Sequence, residues 1–477
     1  MAIALSGATA QAASAAGPPA GPRPATLGAT ASTPPAAGWI TTPDGARRVA
    51  PLSALELRPS TSASAVSIPV DSHTRYQQMD GFGAALTESS AHLLMSLSAS
   101  ARAAALRSLF DPATGAGIDL LRLPLGASDF ALSRYTYDDL PAGQTDPKLT
   151  RFSLTHDDAE ILPIVAQALQ INPSLRVLGT PWSAPAWMKT SQSLIGGTLA
   201  AGSTDVYARY LVRTVQALRA RQVPIRFLTL QNEPGYSPGD YPGMLLSATQ
   251  EADLAGTVGS RLAAAGLGDV KLIGYDHNWD PTSYALDLLA DPTAHRALAG
   301  TAWHCYNGTP DAQLAVHDTY PDKGIWFTEC TGGDWAPDFA ANLDWNAATL
   351  AVGATRAWAR SVLWWNLALD PSGGPHTGGC TGCRGVLTID PATGAVTRNV
   401  EYDVLALAGR AVRPGARRIG SPASVYGLQT IAYSNPDGTH VLTAYNSWGS
   451  DQKLVVTDGT RRIGAPLPGG GVVTVTW

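Results

Sequence analysis

Cysteine is scarce in this chain: four residues in 477, Cys305, Cys330, Cys380 and Cys383, too few for disulfides to stand in for a hydrophobic core. Cys380-Thr381-Gly382-Cys383 has no second CxxC to complete a four-ligand zinc site, so in its Gly-rich loop a local disulfide is expected. The pairing of Cys305 and Cys330 stays open. No apolar stretch reaches the roughly 18 residues that a membrane helix needs. Basic residues never gather into a patch, and 33 Lys and Arg against 38 Asp and Glu leave a net charge of −5, which removes the electrostatic footing for nucleic acid. No HExxH, nucleophile elbow or phosphate loop occurs, and no Gly-x-Gly-x-x-Gly turn follows a strand-like run. Metalloprotease, serine-hydrolase and nucleotide chemistries lose their usual signatures, and no metal or cofactor is expected. Phenylalanine is rare as well, 7 residues against 13 Trp and 15 Tyr. The aromatic content is therefore mostly flat rings with a polar atom, suited to stacking on sugar faces as well as to filling a large core.

What is present falls into three stretches. Met1 to Ala16 is small and apolar, with Ala10-Gln11-Ala12 resembling a signal-cleavage pattern, so residues 1–37 read as a signal remnant and a Pro/Ala/Gly linker of an exported protein. Residues 38–77 and 401–477 alternate in the manner of strands, as in Ala65-Val66-Ser67-Ile68-Pro69-Val70 and Val441-Leu442-Thr443-Ala444-Tyr445-Asn446. Together they predict one small β-sandwich made from both chain ends. Between them, over 78–400, eight apolar runs alternate with amphipathic segments such as 205–218. Eight strands and helices over about 300 residues predict an α/β fold, a (β/α)8 TIM barrel.

In such a barrel the residues that close each run converge on one mouth. That set is Asp129, Trp182, Asn232, Glu233, Asp276, His277, His304, Tyr306, Glu329, Trp365 and Asn366. Two carboxylates facing each other across a groove of Trp and Asn suit acetal cleavage, one protonating the leaving oxygen and the other meeting the oxocarbenium-like carbon. Glu233 ends the fourth run and Glu329 the seventh. His304 reads as a hydrogen-bonded neighbour or a substrate contact. Arg122, inside the second run, needs a carboxylate partner, since an unpaired buried guanidinium is costly; Glu329 is the candidate, and pairing would keep it ionised. The carboxyls are expected roughly 5 to 5.5 Å apart, the retaining spacing, with Glu233 protonated and Glu329 charged. A non-catalytic carbohydrate-binding protein would lack one of the two, and a metabolic barrel enzyme would carry a phosphate site that is not found here.

Several stretches in one order carry a resemblance: Asp80-Gly81-Phe82-Gly83, Arg122-Leu123-Pro124-Leu125-Gly126-Ala127-Ser128-Asp129-Phe130, Pro181-Trp182-Ser183-Ala184-Pro185-Ala186-Trp187-Met188-Lys189-Thr190, Gln231-Asn232-Glu233-Pro234, Phe327-Thr328-Glu329-Cys330 and Trp365-Asn366-Leu367-Ala368-Leu369-Asp370-Pro371. From about Trp39 to its end the chain resembles glycoside hydrolase family 30, glucosylceramidase-like retaining β-glycosidases. The resemblance implies that Glu233 is the acid/base, Glu329 the nucleophile and Asn232 a contact to the 2-hydroxyl, and that Asp129, Trp182 and Trp365 hold the sugar. It departs from lysosomal glucosylceramidase at Cys305, where that enzyme has Trp, and in the loop 373–386. The implied substrates are β-glucosides (β-1,6-glucan, gentio-oligosaccharides or glucosylceramide-like), with β-1,6-galactanase, β-xylosidase or β-fucosidase activity as alternatives. The protein is expected to act as an extracellular monomer.

Overall fold

The computed structural model of the protein describes residues 36–52, 55–57 and 65–477; the expected signal remnant lies almost wholly outside them. Eight parallel strands close into a barrel in sequence order: β1 (Gly81–Ala85), β2 (Leu120–Pro124), β3 (Arg176–Thr180), β4 (Ile225–Thr229), β5 (Lys271–Asn278), β6 (Leu298–His304), β7 (Gly324–Glu329) and β8 (Ala359–Trp364). These strands read as continuous apolar runs because both faces are covered. Leu120, Leu178, Phe227, Ile273, Ala302, Trp326 and Leu363 fill the interior as one layer. Strand β1 contributes only glycine there: a Cβ on Gly83 would stand 1.8 Å from the Leu120 carbonyl oxygen, so the closure of β1 on β2 requires it.

The helices follow from their periodicity. Thr204–Ala220 turns Val206, Tyr207, Leu211, Val215 and Leu218 toward the barrel, the 3.6-residue spacing of an amphipathic helix. Ala248–Ala264 opens with a reciprocal Ser247/Gln250 capping box, which satisfies two otherwise orphaned N–H groups.

The sandwich draws on both chain ends. Ala37–Thr41 pairs antiparallel with Val472–Thr476, and Ala65–Pro69 pairs parallel with Gln452–Asp458. Ile40, Ile68, Leu442, Val456, Ile463 and Val475 meet between the two sheets. Asp71–Gln78 pairs with Arg417–Gly420 at the sheet edge and leads directly into β1. The segment 401–477 begins not with a strand but within a helix, Val400–Gly409, packed against β1 and against Val472–Thr476. Arg356 fastens the barrel to the sandwich, its Nε donating to the Thr430 carbonyl at 2.6 Å. No described helix is long and apolar enough to cross a membrane.

Candidate active site

The polar residues at the C-terminal strand ends converge because the backbone turns sharply there. Glu233 stands just beyond β4 at φ 47°, Tyr275 and Asp276 in β5 at φ 72° and 54°, and Asn366 beyond β8 at φ 63°. Such left-handed positions are strained for these residues and concentrate at functional sites. In β5 they coincide with a register shift against β6 between Tyr275 and His277. The bulge re-aims Asp276 into the barrel.

Asp276 is the hub of the site. One carboxylate oxygen accepts from His304 Nε2 at 3.0 Å and Thr328 Oγ1 at 2.7 Å. The other accepts from Arg122 Nη2 at 3.0 Å and Thr229 Oγ1 at 2.9 Å. Burial would raise its pKa, but the Arg122 charge and the His304 hydrogen bond and charge hold it well below the carboxylate range. Arg122 is completely buried and also donates to Asn232 Oδ1 at 2.8 Å and to Glu329, the partner expected for it. Its guanidinium lies 4.9 Å from the ring centroid of Trp182 and 5.5 Å from that of Trp365. Burial lowers its pKa, yet the Asp276 and Glu329 charges reverse that and keep it cationic.

Above this layer sit the two expected catalytic carboxylates. An oxygen of Glu233, one of Glu329 and a ring nitrogen of His304 all lie within 4.8 Å of one another. That is closer than the roughly 6.5 to 9.5 Å of an inverting pair, which must admit a water between the groups. His304 Nδ1 is 3.1 Å from Glu233 Oε1 and 3.8 Å from Glu329 Oε1. The Tyr306 hydroxyl donates to Glu329 Oε1 at 2.9 Å.

The pKa of Glu233 is pulled in two directions. Burial alone would raise it, but the hydrogen bond from His304 and the charges of His304, His277 and Arg122 draw it below the usual carboxylate range. His304, despite burial, is pushed up to about 9 by Glu329, Asp276 and Glu233. His304 Nδ1 and Glu233 Oε1 are thus joined by a hydrogen bond along which a proton can move. Among the described residues Glu233, His304 and Glu329 are the one group placed to hold a metal ion. Both ring nitrogens of His304 are already engaged, Nδ1 with Glu233 and Nε2 with Asp276, so a metal could take one only by breaking a hydrogen bond.

A cavity opens over the pair, lined by Asp129, Trp182, Asn232, Glu233, Tyr306, Glu329 and Trp365 among others. Trp182 and Trp365 stack at 5.2 Å, forming one wall. Burial, then the Glu329 and Glu233 charges, raise Asp129 well above the carboxylate range, so it stands ready as a hydrogen-bond donor. His304 and Arg122 lie beneath the floor rather than on it. Asn366 does not reach the cavity: it is fully buried and its Oδ1 accepts the Thr87 hydroxyl at 2.8 Å. Tyr241, Thr331, Trp335, Gly379, Cys380 and Cys383 also line the cavity, none of them singled out as sugar contacts from sequence. Trp335 is 59% exposed, and Gly332-Gly333-Asp334 just before it was the available signal for a loop-borne aromatic at the mouth. Both disulfides form, Cys305 with Cys330 and Cys380 with Cys383. The first ties the residue after His304 to the residue after Glu329.

The glycosyl hydrolase family 30 TIM-barrel domain model matches residues 79–379, and the family 30 beta sandwich domain model matches residues 415–475. The chain is 35% identical over 410 residues to endo-1,6-beta-D-glucanase neg1 of Aspergillus fumigatus, covering 80% of this chain and 81% of that one. It is 27% identical over 440 residues to lysosomal acid glucosylceramidase of Mus musculus, covering 85% and 82%. Among solved structures, the endo-beta1,6-glucanase BT3312 superposes with a TM-score of 0.87 at 31% identity, over 93% of this chain and 99% of that one.

Proposed function

The chain belongs to glycosyl hydrolase family 30 and is a retaining β-glycoside hydrolase, and on that premise we propose that it cleaves β-1,6-glucosidic bonds of glucan chains and gentio-oligosaccharides by double displacement. The observation that carries this reading is a close carboxylate pair in opposite surroundings. Glu329 is fixed by Arg122 and Tyr306, which take up two of its lone-pair directions and leave a carboxylate aimed at the cavity. Glu233 shares a proton with His304. In the first step Glu329 attacks the anomeric carbon while the proton held between His304 Nδ1 and Glu233 Oε1 passes through Glu233 to the leaving oxygen. In the second, the Glu233 carboxylate takes a proton from water, which attacks the glycosyl ester and releases the sugar with retained configuration, and the shared proton between Glu233 and His304 is restored.

Asn232, held by Arg122, faces the sugar beside the nucleophile. Asp129 offers a hydroxyl contact, and the Trp182–Trp365 wall takes an apolar sugar face. The β-1,6 linkage is favoured because the glucanase relatives are more similar than the glucosylceramidase over comparable coverage. We read the protein as an exported monomer, in keeping with two formed disulfides. The test is hydrolysis of β-1,6-glucan, gentiobiose, glucosylceramide, β-1,6-galactan and aryl β-xyloside and β-fucoside side by side. Turnover of β-1,6-glucan at least about tenfold above the others is expected; preference for a galactan or xyloside contradicts it.

A further inference from the structure

The segment Gly373 to Val386, which follows β8, crosses the cavity as a strap anchored on both flanks. On one side Thr377 N and Oγ1 donate to the Asp129 carbonyl at 2.9 and 3.2 Å, and Gly379 N donates to Asp240 Oδ2 at 3.0 Å. On the other, Asp334 N donates to the Gly382 carbonyl at 2.9 Å, and Cys383-Arg384 pairs antiparallel with Gly332-Gly333. Between these anchors the Cys380–Cys383 bridge closes a four-residue ring, and Gly379, Cys380 and Cys383 face the cavity.

Cys383 belongs to the apolar cluster of Trp182, Trp365, Phe130 and Leu369, and Cys380 packs against it, so the bridge extends the aromatic wall. The strap also rests on the hydroxyl-reading carboxyl: a Cβ on Gly379, at φ +75°, would lie 2.8 Å from Asp129 Oδ2 and 2.9 Å from Asp129 Cβ. A segment with glycine at 378, 379 and 382 has much backbone freedom to lose. The bridge removes that freedom where the strap meets the sugar.

We propose that the Cys380–Cys383 bridge is a specificity clamp: it fixes the strap against Asp129 and the Trp182–Trp365 wall, so that the cavity accepts one hydroxyl configuration and rejects its epimers. The inference rests on the proposed β-glucosidase reading and adds to it the element that sets sugar choice. A contact that discriminates by hydrogen bonding loses its power when the group can move, because the wrong sugar then finds a tolerable pose.

The test uses a Cys380→Ser/Cys383→Ser double variant and, separately, Gly379→Ala, which presses on Asp129 with the bridge intact. Both are assayed with aryl β-glucoside, β-galactoside, β-xyloside and β-fucoside. Opening the bridge is expected to raise KM for the glucoside about tenfold, to leave kcat within about twofold, and to lower the glucoside preference in kcat/KM about tenfold. Gly379→Ala should give the same split through the strap's contact on Asp129, and if the double variant fails to fold the single Cys380→Ser variant, which also opens the bridge, decides the matter. Unchanged KM and preference, or a fall in kcat with preference intact, overturns the clamp. If the wild-type enzyme turns over every aryl glycoside but the glucoside, the β-glucoside reading fails; a clamp then survives only if both variants relax the preference actually observed.

Discussion

Carboxylates, arginines and tryptophans gather at both ends of the barrel, and the two ends use them differently. At the N-terminal end Asp80 Oδ2 accepts from Arg360 Nε at 2.8 Å and Trp326 Nε1 at 3.0 Å, with Arg360 lying 5.5 Å from the Trp326 ring centroid. Nearby Asp119 accepts the Phe82 N–H at 2.9 Å and is pushed up to about 8 by burial. At the C-terminal end Arg122 stacks on Trp182 and Trp365 in the same way, but Asp276 is held ionised and Glu329 opens onto a cavity. The bottom answers each charge within itself, or neutralises it, and locks strands together. The mouth uses the buried Arg122–Asp276 ion pair to aim a second carboxylate into the cavity. A charged cluster is thus a site when one member is held in place by its neighbours yet left a free face.

The largest break in this comparison is expected from Glu329→Ala, which should lower turnover of every β-glucoside by about 10⁴-fold or more, since no glycosyl ester can form. Asp119→Asn at the other end should leave kcat within about twofold, because burial favours the neutral form of the residue and the amide oxygen still accepts from Phe82; initial rates of the two variants check this. Next in size is Arg122→Lys, which removes the fork that holds Glu329, Asn232 and Asp276 at once. A fall in kcat of about 100-fold is expected from misplacing Glu329, the proposed nucleophile, whereas Arg360→Lys should change the melting temperature and not kcat. A drop in kcat for the Arg360 variant as large as that for Arg122 would erase the distinction between the ends.

The smallest effect is in pH-dependent stability. His304 moves from an ordinary 6.5 up to about 9. A raised pKa contributes stability that is complete below pH 6.5 and lost as pH rises through 9. Asp119, raised from 3.8 to about 8, contributes in the same direction in a lower window, from about pH 4 to 8. Melting curves across pH should lose the upper slope in His304→Asn and the lower one in Asp119→Asn. Identical profiles for the two variants would contradict the assignment of separate windows.

The barrel was legible because strands covered on both faces must be apolar along their length, and because a polar residue at the end of such a run stands out. Arg122 was legible for a related reason: a lone guanidinium in a buried strand demands a carboxylate, and Glu329 supplies it. The role of Asp276 was not, since it depends on a bulge with two residues at positive φ, and Tyr275-Asp276 carries no turn signature such as Asn-Gly. Asn366 looked like its neighbours at the mouth, yet the same kind of turn at φ 63° hands its side chain to Thr87. Tyr241 and Trp335 reach the cavity from loops whose path has no local period. The hydrogen-bonded path from His304 to Glu233 could not be placed from sequence either, because it depends on three carboxylates surrounding one imidazole.

Double displacement requires Glu329 to be the group that bonds to the sugar. The direct measurement is to trap the enzyme with a 2-deoxy-2-fluoro-β-glucoside bearing a good leaving group, digest it, and map the labelled peptide by mass spectrometry. A glycosyl ester on Glu329, with Glu233 unlabelled, is the predicted result. A label on Glu233, or steady turnover of the reagent to product of inverted configuration with no labelled peptide, would contradict it.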